Sequence, residues 1–204
     1  MASIKSLFAP TDMTEGTPWK KIVVFTLPML IGNIAQQLYS TVDSIVVGHY
    51  IGDNALAAVG SAGPLFNLLL VLFVGISAGV GIMVSQYFGA KSREDLSKTI
   101  GSSITLTALV SLVLMIVLPP FVRGLLLAID TPASILDGCT LYLQYMIYGV
   151  AGLAFYNILS GILRGMGDSF SALIYLLIAT VINIILDVWF VAGIGMGIEG
   201  VALA

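Results

Sequence analysis

The feature that most constrains this chain is the recurrence of apolar stretches long enough to cross a bilayer. A helix needs about 20 apolar residues to span the hydrocarbon layer. The 204-residue sequence meets that length near 22–47, 55–86, 99–118, 139–160 and 170–192, and a further apolar run starts at Met196. Between these runs stand "GHYIGDN", "GAKSREDLSK", "PPFVRG" through "DTPAS", "RGMGDS" and "GIGMG", all short and rich in turn-forming or charged residues. In lipid each backbone amide must be satisfied within its own segment. The expected fold is therefore all-α: a polytopic membrane helical bundle of five complete spans and the start of a sixth, treated as one unit over residues 1–204. Residues 196–204 are too few to cross at about 1.5 Å per residue. The expectation is that the rest of the sixth span comes from a longer protein or from a separate chain.

Composition agrees with a lipid solvent. Hydrophobic residues make up 58% and charged residues 9% of the chain, and mean hydropathy is +1.06; soluble domains carry about 25% charged residues. A net charge of -3 gives no reason to expect a nucleic-acid partner. Cys139 is the only cysteine, which excludes an internal disulfide and leaves no basis for a thiolate metal site. No enzyme constellation is read, no catalytic or metal-binding residue is assigned, and no cofactor is expected. No cleavable signal peptide is read in the first 21 residues.

Orientation follows from the basic residues. Lys5, Lys20, Lys21, Lys91, Arg93, Lys98 and Arg164 fall on one side of the expected spans and Arg123 alone on the other, Arg123 and Arg164 being assigned to loops. The positive-inside rule then puts the N-terminus in the cytoplasm of a multi-pass plasma-membrane protein.

A charged residue inside a span calls for a partner or a task, because it costs roughly 2.5–3.5 kcal/mol on insertion scales. The first span has one in "QQLYSTVDSIVVG". At 100° per residue, Gly32, Gln36, Tyr39 and Asp43 form one stripe with Ser40 at its margin. Leu27, Leu30, Ile34, Leu38 and Ile45 face the other way, toward lipid. Pro28 removes a backbone hydrogen bond and marks a bend point. The fifth span repeats the pattern: Thr180, Asn183 and Asp187 share a face opposite Ile178, Ile182, Ile185 and Trp189. Asp43 precedes Gly48 by five residues and Asp187 precedes Gly193 by six, and both spans run outward. The two carboxylates therefore sit at matched depth, where neighbouring helices would let them share a proton. Amide oxygens of Gln36 or Asn183 and hydroxyls of Tyr39 or Thr180 would equally complete an oxygen shell around sodium. The plainer alternative is polar glue between helices; two aspartates at one depth with amide companions weigh against it.

Other features carry less. The fourth span offers Tyr142, Tyr145, Tyr148, Tyr156, Asn157 and Ser160, of which Asn157 and Ser160 join Gln36 and Tyr39 as candidates for lining a substrate cavity. Gly75 and Gly79 have the GxxxG spacing of close helix packing. His49, in an outer turn, is given no role.

The ordered segments "PMLIGNIAQQLYSTVDSIVVGHYIGDNALAAVG", "QYFGAKSREDL", "NILSGILRGMGDS" and "NIILDVWFVAGIGMGIEGVALA" resemble the bacterial multidrug and toxic compound extrusion family across nearly the whole chain from Pro18. The resemblance implies the N-terminal six-helix lobe of a transporter built from two lobes related by a pseudo-two-fold axis. It also implies a C-terminal lobe as partner, in the same or a separate chain. The activity implied is antiport, in which H+ or Na+ entry drives export of amphipathic, often cationic, organic compounds. The family's aspartate and Asn-x-x-x-Asp pair match Asp43, Asn183 and Asp187, and Tyr142 best matches its neighbouring tyrosine. Two alternatives are a lipid-linked oligosaccharide flippase of the same superfamily, which would want several cationic residues in its cavity, and a membrane assembly module that transports nothing.

Overall fold

A computed structural model of the chain describes residues 16–204, so Lys5 of the orientation count lies outside the described residues. Helix α1 (Pro18–Val46) opens on a proline, whose missing N–H is not needed in a first turn. It runs through Pro28 without ending and passes into a π-helical segment, Val47–Ile51. Gly52, at φ 110°, then reverses the chain in a conformation that a side chain would strain. Next come α2 (Asp53–Gly89), α3 (Arg93–Val117), a 3-10 turn at Pro119–Phe121 and a short α4 (Val122–Ala128). After these follow α5 (Ala133–Tyr148), α6 (Val150–Gly165), α7 (Ser169–Asp187), a second π-helical segment at Val188–Gly193, and α8 (Ile198–Leu203). Among the described residues there is no strand.

Among the described residues four helical stretches are long and apolar enough to cross a membrane, and the bent pair α5–α6 gives a fifth when counted as one span. Two of them differ from the expected intervals. The third does not stop at 118. Pro119 starts a new turn rather than a loop, and Val122 and Leu126 of α4 are buried in the cluster that also holds Leu136, Cys139 and Leu143 of α5. The fourth begins at Ala133 and ends at Gly165, and it bends by 48° at Gly149. The amide of Gly149 still donates to the Tyr145 carbonyl at 3.0 Å, so the break changes direction without abandoning its hydrogen bonds.

The bundle is organised by two pairings. Helix α1 packs on α7, and α2 packs on α5 and α6, with α3 closing over α6 and α6 touching α7. The α1 and α7 aliphatics assigned to lipid are 50–62% exposed on the surface of the bundle, Leu38 and Ile185 among them. The closest approach lies between α2 and α6. A Cβ on Gly161 would meet the Ser77 hydroxyl and come within 2.8 Å of the Ser77 carbonyl oxygen, and one on Gly165 would lie 2.6 Å from the Gly81 carbonyl. Gly75 and Gly79 play no such part, since a Cβ on either meets nothing within 4 Å. That correction has a simple cause. Spacing puts two glycines on one face but does not say which face meets the neighbour, and here α6 sits over Ser77, Gly81 and Val84 instead.

Gly167, at φ 87°, ends α6, and Asp168 caps α7 by accepting from the Ser171 amide at 2.9 Å. This two-residue device turns "RGMGDS" into a tight hairpin between α6 and α7. It joins the C-terminal end of α6 to the N-terminal end of α7, the helix that packs on α1.

Candidate functional site

Asp43 leaves α1 one turn before its π-helical segment, and Asp187 is the last residue of α7 before the second one. The α1–α7 pairing brings the two carboxylates against each other, close enough to share a hydrogen bond if one carries a proton. Without such a proton neither group can donate. Asp187 is fully buried with both oxygens unpartnered, and Oδ1 of Asp43 is buried without a partner as well. The Tyr39 hydroxyl stands beside Asp43, and the Tyr142 phenol from α5 lies in electrostatic range of Tyr39 and both carboxylates. Four side chains from three helices thus form one cluster.

Asn183 lies one turn before Asp187 on the same face of α7, with its amide oxygen buried and unpartnered. Thr180, a further turn back, is half-buried. Four orphaned oxygens on Asp43, Asn183 and Asp187 are a costly arrangement in a bundle core, since burying an unsatisfied polar atom costs about 1–3 kcal/mol each. Protons or a small hard cation would relieve that cost. Among the described residues no group of three His, Cys, Asp or Glu assembles, so the oxygen shell would draw on amide and phenol groups beyond the two carboxylates.

A cleft of about 180 Å³ opens between α1, α2, α6 and α7 on the side of the α6–α7 hairpin. Gln36, Asn157 and Pro28 line it, as do Asn33, Tyr156 and Arg164, which sequence reasoning did not assign to a cavity. Gln36 is seven residues before Asp43 on the same stripe, about 10 Å along the helix. The cleft therefore ends two turns short of Asp43, and Tyr39, expected in the cavity wall, is absent from it and belongs to the carboxylate cluster instead.

Ser160 is not brought to this site. It is 3% exposed and absent from the cleft wall, because its turn of α6 is drawn into the tight seam that Gly161 makes with Ser77. Arg164 corrects the sequence reading in the other direction. It belongs to the last turn of α6, not to a loop, and it faces the cleft. Arg123 likewise sits in α4, paired with Asp137 at the opposite end. The signal for Arg164 was present: it follows Asn157 by seven residues, two helical turns, so both share one face.

Gly75-Ile76-Ser77-Ala78-Gly79 has the GxSxG spacing of a hydrolase nucleophile turn. Here the segment is the interior of a continuous helix, and the Ser77 hydroxyl is 2% exposed and donates to the Asn157 carbonyl at 2.6 Å. It is a packing contact that ties α2 to α6.

Comparison with known proteins identifies relatives of this arrangement. The MatE family profile matches residues 28–189. The probable multidrug resistance protein YoeA of Bacillus subtilis is 33% identical over 82% of this chain, and the probable multidrug resistance protein YpnP of the same organism is 28% identical over 94%. A solved outward-facing multidrug resistance MATE family transporter of the MOP superfamily superposes with a TM-score of 0.86, with 29% identity over 92% of this chain. This chain spans 36% of YoeA, 43% of YpnP and 41% of that transporter.

Proposed function

The chain belongs to the MatE family, and from that premise we propose that it forms the N-terminal lobe of a cation-coupled exporter of amphipathic organic compounds. The observation that carries this reading is the pair of aspartates, half-buried Asp43 and fully buried Asp187, held face to face with orphaned oxygens. Binding of H+ or Na+ there would favour the α1–α7 arrangement that best satisfies those oxygens, and only such differential binding can shift a conformational equilibrium. Gln36 and Asn157 line the cleft that would receive substrate, and Tyr39, one turn from Gln36, would stand on the cleft side of the cation site. Tyr142, Asn183 and Thr180 would complete the oxygen shell, and Pro28 gives α1 a place to bend as the site fills. A second six-helix lobe would enclose the cleft, and the grouping of basic residues on one side of the spans supports a cytoplasmic N-terminus in the plasma membrane. The flippase alternative wants several cations in the cavity, and this cleft has one.

The test uses the complete protein in inverted membrane vesicles loaded with a lipophilic cationic dye. Imposed proton and sodium gradients are compared. Dye transport driven by one gradient and abolished by its collapse is expected; transport indifferent to both gradients would overturn the coupling.

A further inference from the structure

The cleft has a chemical character that export of cations does not explain. Among the described residues Arg164 is the only charged side chain in its wall, and the rest of the wall is amide, hydroxyl, thioether and hydrocarbon. The ion pairs among the described residues are Lys98–Glu94 and Arg123–Asp137, so among those residues no carboxylate stands within ion-pair distance of Arg164. The nearest acidic residue in sequence, Asp168, is occupied: it is buried and its carboxylate caps α7 through the Ser171 amide. A guanidinium keeps its charge at any physiological pH and presents five donors with no acceptor. Held half-buried at the inner end of a membrane cleft, it wants an anion.

We propose that the cleft contains a subsite for the anionic head of an amphiphile, with Arg164 as the anchoring charge. A phosphate or carboxylate oxygen would take the guanidinium fork, and two amides lining the same cleft can donate to the remaining oxygens: Asn33, and Asn157 through the hydrogen left over from its 2.9 Å bond to the Leu153 carbonyl. Leu70, Val74 and Leu153 supply the apolar wall along which a hydrocarbon tail would lie. The arrangement is polarised, with the cation at the hairpin end and the carboxylate cluster beyond Gln36. An amphiphile with both charges would therefore be oriented, its anion toward Arg164 and any cation toward Asp43. The subsite deepens the transport reading by adding an anion requirement to its substrate class, and it rests on that reading only for the cleft's place in a bilayer.

Binding without any ion gradient tests it, so a failure to transport has no bearing on the result. The complete protein in phosphatidylcholine nanodiscs is titrated with dodecyl phosphate, with dodecyltrimethylammonium and with inorganic phosphate, and empty nanodiscs are subtracted. Dodecyl phosphate is expected to bind, and Arg164→Gln is expected to weaken it by about tenfold or more, the loss of a charge-assisted pair. Arg164→Lys should recover part of the affinity, since the charge returns without the fork. Dodecyltrimethylammonium should bind Arg164→Gln at least as well as the parent, which also shows that the cleft survives the substitution. Adding phosphatidylglycerol to the nanodiscs separates the two sources: competition in the parent but not in Arg164→Gln points to a membrane lipid, and no competition points to a free amphiphile. Equal dodecyl phosphate affinity in parent and Arg164→Gln would overturn the subsite, as would an equal loss for the cationic detergent.

Discussion

Gly161→Ala is the smallest substitution expected to loosen the bundle. Its Cβ would stand 2.8 Å from the Ser77 carbonyl oxygen, short by about 0.6 Å of the 3.4 Å at which ordinary contact begins, and it would also strike the Ser77 hydroxyl. The carbonyl is backbone inside α2 and cannot rotate away. The hydroxyl can turn only by giving up its 2.6 Å hydrogen bond to the Asn157 carbonyl. Relief therefore requires α2 and α6 to separate, which opens the contacts among Val80, Val84, Ile158 and Ile162 on either side. Overpacking of this kind costs about 1–3 kcal/mol, and the lost hydrogen bond adds about 1. Alanine recovers up to about 1 kcal/mol of helix propensity over glycine. The expected net loss is about 1–3 kcal/mol. The assay is thermal unfolding of the 204-residue chain in detergent, followed by size-exclusion fluorescence, with Gly79→Ala as the control because a Cβ there meets nothing within 4 Å. Gly161→Ala should unfold well below the parent and Gly79→Ala at or above it. Equal behaviour of the two variants would refute the α2–α6 seam.

Other outcomes follow from single contacts. Arg123→Gln removes the Arg123–Asp137 pair, whose side chains are 56% and 86% exposed, and should change stability by less than about 1 kcal/mol at physiological salt, as read in the same unfolding assay. Cys139 is fully buried beneath α2, its thiol donating to the Ala58 carbonyl at 3.4 Å. A membrane-permeant maleimide should therefore leave it unmodified in the folded chain and label it on denaturation, as mass spectrometry would record. Gly167→Ala forces a side chain into φ 87° and should cost about 1–2 kcal/mol by loosening the α6–α7 hairpin; its thermal unfolding is compared with that of Gly124→Ala, where a Cβ meets open space.

The parts of this fold that were legible in the sequence are those governed by local periodicity and by the cost of charge in lipid. The stripe of Gln36, Tyr39 and Asp43, and the matching Asn183–Asp187 stripe, follow from 100° per residue and a count of residues to the outer turns. Helix pairing was not legible, because nothing in a single span names the helix it faces. The Gly75–Gly79 spacing accordingly pointed at close packing that occurs instead at Gly81, Gly161 and Gly165, on a face fixed only when α6 lies over α2. Span ends were misjudged for a related reason. Hydropathy fades at Pro119 and at Arg164, yet backbone hydrogen bonding continues through both, so α4 and the end of α6 were read as loop. Misplacing Arg164 hid the one charge in the cleft. The bend at Gly149 left no pattern in an apolar stretch, as glycine is common in membrane helices for other reasons.

The central claim is that Asp43 and Asp187 act as one cation site, and a double-mutant cycle on gradient-driven efflux tests it most directly. Asp43→Asn and Asp187→Asn keep size and hydrogen-bonding capacity while removing the shared negative charge, so both proteins should reach the membrane in parental amounts. Efflux is measured in inverted vesicles for the parent, the two single variants and the double variant at equal expression. Each single substitution is expected to abolish coupled efflux, and the double to lose no more than either single, because one site can be disabled only once. Parental efflux in either single variant, or losses in the double variant that multiply as independent effects do, would contradict a shared site.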